Sequence, residues 1–106
     1  MTTETAQVFA PLTQIAYKEN AINKQFITKN ASGHILLFAF DQGQALKEHT
    51  APADAIVQVI EGQAEFHIAG TPYQVNAGEM IILPGTIPHA VAAVSAFKML
   101  LTMIKE

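Results

Sequence analysis

The chain of 106 residues contains no cysteine, no tryptophan and no arginine. Without cysteine there are no disulfides, thiolate metal sites, iron–sulfur clusters or cysteine nucleophiles, so any metal would have to be bound by histidine, carboxylate, amide or water. Without arginine there is no planar fork for bidentate binding of phosphates or carboxylates. These absences argue against a nucleotide-binding or sugar-phosphate-binding protein.

Charged residues are also scarce, at 14% of the chain, and the formal net charge is −3. Because the six lysines are scattered and form no basic stripe, we expect no nucleic acid partner. No apolar run approaches the roughly 18 residues that span a bilayer, and the first residues are acidic rather than basic. We therefore expect no membrane partner and a cytoplasmic location.

Glycines beside other turn-forming residues divide the chain into short runs with β-strand character. In one run Ala64, Phe66 and Ile68 share a face, while Glu65 and His67 share the other, which is the alternation of a half-buried strand. The pattern predicts an all-β domain with no helix longer than a turn or two. We predict strands at about 25–29, 34–41, 55–61, 64–69, 73–75, 80–83, 89–94 and 96–104.

Two of the predicted strands, at 35–40 and 97–104, are apolar on both faces. A two-layer monomer of this size cannot cover that much apolar surface, so we expect a homodimer. Residues 1–30 are predicted to form an N-terminal segment with a first strand that contributes to the barrel or the dimer, and residues 31–106 the β-barrel itself. The pattern over 7–17 is ambiguous.

Two stretches of the chain resemble the two motifs of the cupin superfamily. The first motif reads glycine, five residues, His-x-His, three or four residues, glutamate, six residues and glycine; Gly43, His49 and Gly62 match it. The second reads glycine, five residues, Pro-x-Gly, two residues, histidine, three residues and asparagine. Gly78, Pro84 and His89 match it, with the glycine of Pro-x-Gly displaced by one to Gly85. The resemblance implies a double-stranded β-helix, the jelly-roll or RmlC-like cupin barrel.

Metal-bearing cupins hold one divalent ion with three histidines and a glutamate, and here only His49 and His89 match those ligands. The second histidine position is Ala51, the glutamate position is Ala55 and the closing asparagine position is Ala93. Two imidazoles without an anionic partner are a poor metal site, so we expect weak or no binding of Zn, Fe, Mn or Ni at His49 and His89. A further ligand would have to be one of the nearby polar residues Asp41, Glu48, Asp54, Gln58 and His67.

The apolar residues expected inside this barrel predict a pocket for a small-molecule ligand, and certain residues are expected to line it, with the two histidines as its polar contacts. These residues are His49, Ala51, Ala55, Val57, Met80 and His89. The plainer alternatives are an exposed loop position for His49, and for His89 a hydrogen-bonded pair with His49 without metal. His34 and His67 are expected at the solvent-exposed surface or the dimer edge.

Three functions remain open at this point. The first is a small cupin that binds an apolar or weakly polar metabolite in the barrel. The second is an enzyme: either a metalloenzyme of the dioxygenase or isomerase type, with His49, His89 and an unidentified further ligand, or a metal-free acid–base catalyst. The third is a structural or regulatory module. The residues do not decide whether any reaction is catalysed.

Overall fold

The computed structural model describes residues 6–105, and nearly all of its regular secondary structure is β-strand. Residues 1–5 of the predicted N-terminal segment, and residue 106, lie outside the described part. One short helix, α1 (Pro11–Gln14), precedes the strands. The strands are β1 (Ile22–Asn30), β2 (Gly33–Phe40), β3 (Ala45–His49), β4 (Ala55–Glu61), β5 (Gln63–Ile68), β6 (Thr71–Asn76), β7 (Met80–Leu83), β8 (His89–Ala93) and β9 (Phe97–Ile104). Within residues 6–105 no helix is long and apolar enough to cross a membrane.

The strands form two antiparallel sheets that face each other across one core. The five-stranded sheet has the order β1-β2-β9-β4-β7, and the four-stranded sheet has the order β3-β8-β5-β6. The chain crosses between the sheets repeatedly, for example from β2 to β3 and from β7 to β8. This architecture confirms the all-β double-stranded β-helix that the resemblance implied.

The core follows from the alternation of side chains along each strand. Inward positions of both sheets meet in one cluster, in which Phe40 stacks on Phe97 with ring centroids 4.6 Å apart. Phe66 and Met99 are fully buried in the same cluster. These four large side chains fill the middle of the barrel. Burying each of them stabilises the fold by about 1.5–3 kcal/mol. The predicted alternation of Ala64 and Phe66 with Glu65 and His67 is confirmed.

The ambiguous segment at 7–17 covers part of the outer face of the five-stranded sheet. Ile15 is buried against Leu37 and Ala39, which point away from the barrel interior. The largely buried ammonium of Lys98 donates a hydrogen bond of 2.6 Å to the backbone oxygen of Leu12, which anchors the segment. The surplus apolar surface of β2 and β9 is therefore covered partly by the chain itself.

A hydroxyl contact fixes the end of this covering segment. The Tyr17 hydroxyl donates to Glu61 Oε2 at 2.5 Å, and Lys98 Nζ lies 4.9 Å from the centroid of the Tyr17 ring. Burial and the Glu61 carboxylate raise the pKa of Tyr17, so its hydroxyl keeps its proton and remains a donor. The segment at 7–17 is thus held by the Lys98 ammonium, the Glu61 carboxylate and its own Tyr17 side chain.

The strand β3 is the element that the sequence pattern did not predict. Only Leu46 of its five residues is partly buried, while Lys47 and Glu48 are exposed, so no alternation marks it. It lies at the edge of the four-stranded sheet and pairs only with β8. Charged side chains on a short edge strand are a common means of preventing aggregation, and they hide such strands from pattern analysis.

Gly62, in the β4–β5 turn, and Gly70, in the β5–β6 turn, both have a left-handed backbone. Substitution of each by alanine tests how tightly the β4–β5 turn packs. A Cβ at Gly62 (φ 78°) would lie 2.1 Å from the backbone oxygen of Ala96, whereas a Cβ at Gly70 (φ 83°) meets nothing. We expect Gly70→Ala to cost about 1–2 kcal/mol of unfolding free energy from φ alone. Gly62→Ala should cost about 3 kcal/mol or more, because overpacking adds to the same strain. Urea unfolding of both variants measures the difference, and equal losses would contradict the clash.

Candidate functional site

The two motif histidines meet at one end of the barrel. His49 is the last residue of β3 and His89 is the first residue of β8, and their Cα atoms are partners across the two strands after a bulge in β3. At this end the loop between β3 and β4 contacts the loop between β7 and β8, since the Thr86 N–H donates to the Ala51 oxygen at 2.7 Å. The fold therefore joins the two motifs, as the resemblance implied.

The imidazoles are in direct contact through their Nε2 atoms, which are 3.1 Å apart. The ring centroids are 4.3 Å apart and the ring planes are inclined by 68°. His89 is buried, with 6% of its surface exposed, whereas His49 is exposed. The pair therefore connects the barrel interior with solvent, with His49 at the mouth.

The backbone contacts restrict where the hydrogens of this pair are. His49 Nδ1 is 2.8 Å from the oxygen of Lys47, and a carbonyl oxygen only accepts, so this nitrogen carries a hydrogen. In the neutral pair His49 Nε2 is then an acceptor, and His89 Nε2–H donates to it. Protonating the pair adds a hydrogen at His89 Nδ1, which faces the Ile87 oxygen at 3.4 Å.

Burial lowers the pKa of His89, and the neighbouring His49 lowers it further, while the Ile87 carbonyl has the opposite effect. Desolvation dominates because a charged imidazolium loses hydration inside the barrel. His89 therefore stays neutral near pH 7. With both rings neutral, the pair offers one donor and one acceptor to any group that separates them.

The other predicted pocket residues divide into two sets. Ala55 and Val57 are buried and point into the core from β4, and Ala51 is half-buried in the loop that precedes this strand. Met80, in contrast, is 61% exposed on β7, where the inward positions are those of Ile81 and Leu83. The structure thus places Met80 on the outer face of the barrel, away from the interior that Ala55 lines.

The expected further metal ligands do not join the histidine pair. The Asp54 side chain is exposed, and its Oδ1 accepts from the Gly85 N–H at 2.7 Å. His67 Nε2 contacts Glu65 Oε1 at 2.7 Å on another strand. Among residues 6–105 no three histidine, aspartate or glutamate side chains form a group that could hold a metal ion. Two imidazoles without a carboxylate do not fit the three-ligand or four-ligand sites that divalent metals occupy in proteins.

The loop before His89 contains a strained residue that sequence reasoning missed. Thr86 has φ 67°, a conformation that is unfavourable for a β-branched side chain. Thr86 stands where the Pro-x-Gly pattern has its glycine. This mismatch is the signal in the sequence that could have identified the strained position. The neighbouring Gly85 is needed for another reason, since a Cβ there would lie 2.9 Å from the carbonyl carbon of Ala53.

A groove of about 720 Å³ lies beside this loop, on the outside of the barrel. Neither histidine lines it. Its walls are formed by Pro52, Ala53, Asp54, Ile56, Gly85, Thr86, Ile104 and Lys105.

Two facing antiparallel sheets with this strand order, and paired histidines at one end, define a jelly-roll barrel of the double-stranded β-helix type. A family model described as "Cupin domain" matches residues 36–105, so the chain belongs to the cupin family. No curated protein matches the chain.

Solved structures agree with this assignment. A conserved protein of unknown function from Streptococcus pyogenes is 33% identical, with a TM-score of 0.92 over 98% of this chain and 91% of that one. A cupin 2 conserved barrel domain protein from Leptotrichia buccalis is 36% identical, with a TM-score of 0.83 over 86% of this chain and 44% of that one. An RmlC-like cupin from Desulfovibrio desulfuricans, at 23% identity and a TM-score of 0.81 over 92% of this chain and 95% of that one, shares the fold.

The strain at Thr86 predicts an unusual response to glycine. A left-handed non-glycine residue costs about 1–2 kcal/mol, and glycine loses about 0.5–1 kcal/mol through its freedom in the unfolded chain. We therefore expect Thr86→Gly to raise the free energy of unfolding by up to about 1 kcal/mol. The matched change Thr71→Gly, in the exposed strand β6, should lower it by a similar amount. A loss of stability in both variants, measured by urea unfolding, would contradict the strain.

The histidines also predict how stability depends on pH. The pKa values of His89 and of His34 are both lowered by burial, so the native state binds fewer protons than the unfolded chain. The free energy of unfolding should be at its full value above pH about 6.5, the unfolded-state pKa, and fall as pH drops below it. Urea titrations between pH 7.5 and 5.5 measure this decline. His89→Gln should make the decline shallower, and an unchanged decline would contradict the assignment.

Proposed function

We propose that this chain is a small cupin that binds a small metabolite at the histidine end of the barrel, with His49 and His89 as its polar contacts and with weak or no metal. One observation carries the proposal: the contact of 3.1 Å between the two Nε2 atoms, one on a buried and one on an exposed imidazole. A concave site that is mostly apolar with a few placed polar groups is the usual form of a small-molecule site.

The surroundings of the pair favour a ligand of modest size and low charge. Ala51 and Ala55 replace the polar residues of metal-bearing cupins with methyl groups, and Val57 continues the apolar wall. Phe40 and Phe97 fill the centre of the barrel, so a ligand would occupy the mouth rather than its full depth. Solvent reaches the site at His49, which gives the ligand its entry.

The hydrogen placement indicates which chemical groups the pair would recognise. When a ligand separates the rings, His89 Nε2–H becomes a free donor and His49 Nε2 a free acceptor. A hydroxyl, a protonated carboxyl or a primary amide supplies one acceptor and one donor together and can satisfy both nitrogens. A ligand without such a group would leave a buried donor unpaired, at a cost of about 1–3 kcal/mol.

The alternative is a metalloenzyme of the dioxygenase or isomerase type, and one feature favours it. Both Nδ1 atoms face backbone carbonyl oxygens, which is how metal-binding histidines are commonly oriented, and both Nε2 atoms point toward each other. Zn, Fe, Mn or Ni would then need its remaining ligands from the substrate or from water. The lack of a carboxylate beside the pair makes this the weaker proposal.

Metal analysis and native mass spectrometry distinguish the two proposals. We expect protein purified without added metal to contain far less than one equivalent of Zn, Fe, Mn or Ni, and calorimetric titration with each ion to show dissociation constants weaker than about 10 μM. A co-purified small molecule, or one selected from a panel of small alcohols and primary amides, should bind the wild type. Its affinity should fall at least about fivefold in His49→Ala and His89→Ala, because each loses one hydrogen bond worth about 1 kcal/mol or more.

His67→Ala is the matched control, since it removes a histidine that pairs with Glu65 and lies away from the site. It should bind like the wild type. Stoichiometric metal that is lost in both His49→Ala and His89→Ala, but kept in His67→Ala, would overturn the preferred function in favour of the metalloenzyme.

A further inference from the structure

The inner face of the five-stranded sheet carries two basic side chains at the same end of the barrel as the histidine pair. At this end the pairing register aligns one inward residue from each strand, in the order of the sheet. This row, called the mouth row below, consists of Lys29, His34, Met103, Ala55 and Leu83. Met103 and Leu83 pack against the core, so the row faces the barrel interior. Since Ala55 lines the proposed metabolite site, Lys29 and His34 lie on the rim of that site.

The order of the strands places His49 on the side of the mouth where these basic residues lie. In the four-stranded sheet β6 packs on β4, so β3, at the opposite edge, lies on the side of β1 and β2. His49 ends β3, while Lys29 and His34 belong to β1 and β2. His49 is exposed at this edge, so solvent reaches the histidine pair from this side. A ligand that enters at His49 therefore passes the two basic side chains.

The Phe26 ring holds the two basic side chains close together. The rings of Phe26 and His34 meet edge to face, with centroids 5.8 Å apart. Lys29 Nζ lies 4.9 Å from the centroid of the same Phe26 ring, in a cation–π contact. The ammonium is thus positioned before any ligand binds, which reduces the cost of ordering it on binding.

The rim has positive charge without a compensating carboxylate. No ion pair between described residues includes Lys29, His34 or Lys105. Burial lowers the pKa of His34, and the ammonium groups of Lys105 and Lys29 lower it further. The site therefore has a locally positive rim, although the formal net charge of the chain is −3.

The chemistry of the two parts of the site defines a ligand with two different ends. The histidine pair offers one donor and one acceptor and suits an uncharged group, whereas Lys29 offers an ammonium and His34 a ring N–H. Without arginine the rim has no planar fork for a phosphate, so a carboxylate is the anion that fits it. Only β9 separates the strands of His34 and Ala55, so these residues are two strand spacings, about 10 Å, apart. A ligand of about four to six carbons spans that distance together with the side chains.

We propose that the ligand of this site is a small monocarboxylate whose other end is a hydroxyl or a primary amide. Lys29 and His34 bind the carboxylate, and His49 and His89 bind the uncharged end. Lys105 adds to the positive field but lines the groove on the outside of the barrel, so it is not a direct contact. This inference rests on the proposed function, because it names the chemical class of the metabolite.

Two ligands of equal length that differ in charge test the carboxylate end. Glutaramate has one primary amide and one carboxylate, whereas glutaramide has two primary amides. In calorimetric titrations we expect the wild type to bind glutaramate at least about fivefold more tightly than glutaramide, because the carboxylate forms charge-assisted hydrogen bonds at the rim. This preference should decrease as the salt concentration rises.

Variants separate the two ends of the ligand. Lys29→Met, which keeps the side-chain length without the charge, should abolish the preference for glutaramate and leave the affinity for glutaramide unchanged. Lys24→Met is the matched control, since Lys24 is an exposed lysine of the same strand, opposite Phe38 and away from the mouth. It should keep the preference. His34→Ala should weaken glutaramate more than glutaramide, whereas His49→Ala should weaken both to the same extent.

The pKa of His34 provides a second measurement. A bound carboxylate opposes the field of Lys29 and Lys105, so this pKa, followed by NMR of the ring hydrogens, should rise when glutaramate binds and stay constant with glutaramide. Equal affinities for the two compounds, or a preference that Lys29→Met leaves intact, would overturn the inference while the proposed function stands. If neither compound binds at about 10 mM, the inference is also overturned, and the metal analysis and co-purification described above decide the proposed function separately.

Discussion

The burial of Phe97, Lys98 and Met99, which places both faces of the first part of β9 out of solvent, is the constraint on which the other parts depend. The strand lies in the middle of the five-stranded sheet, between β2 and β4, and its inward Phe97 and Met99 fill the barrel. Its outward apolar side chains cannot face water without cost. At one end of the strand the N-terminal segment covers them, and Lys98 holds this segment by donating a hydrogen bond to the Leu12 oxygen. At the other end of the strand Thr102 is half-buried and Ile104 is exposed. One strand thus organises the core, the anchored N-terminal segment and the exposed face.

Strands with a clear pattern could be predicted from the sequence, while elements defined by their partners could not. Alternation identified β5, and apolar runs identified β2 and β9, because burial determines those residues directly. The edge strand β3 was not predicted, because Lys47 and Glu48 face solvent and only pairing with β8 makes this segment a strand. The position of the covering segment at 7–17 could not be predicted for a related reason. Ile15 is buried by contact with residues distant in the sequence, and nothing in the local sequence indicates that burial.

The candidate site likewise has features that motif spacing predicts and features that depend on how distant strands pair. Motif spacing alone places His49 and His89 in one barrel, but their Nε2 contact depends on the bulge in β3, which spacing does not encode. Met80 was assigned to the pocket from its apolar character, yet strand parity directs it outward beside Ile82. Where a side chain points depends on register, and a shift of one residue moves it to the other face.

The position of His49 on an edge strand has a dynamic consequence. β3 is short and largely exposed, pairs with one neighbour only, and has an irregular register before His49. Segments of this kind open locally at low free energy, whereas β9 opens only with the whole domain. We therefore expect amide hydrogens of β3 to exchange with solvent much faster than those of β9. Fraying of β3 would separate the two imidazoles while the barrel stays folded, so the lifetime of a bound molecule would follow the opening rate of this single strand.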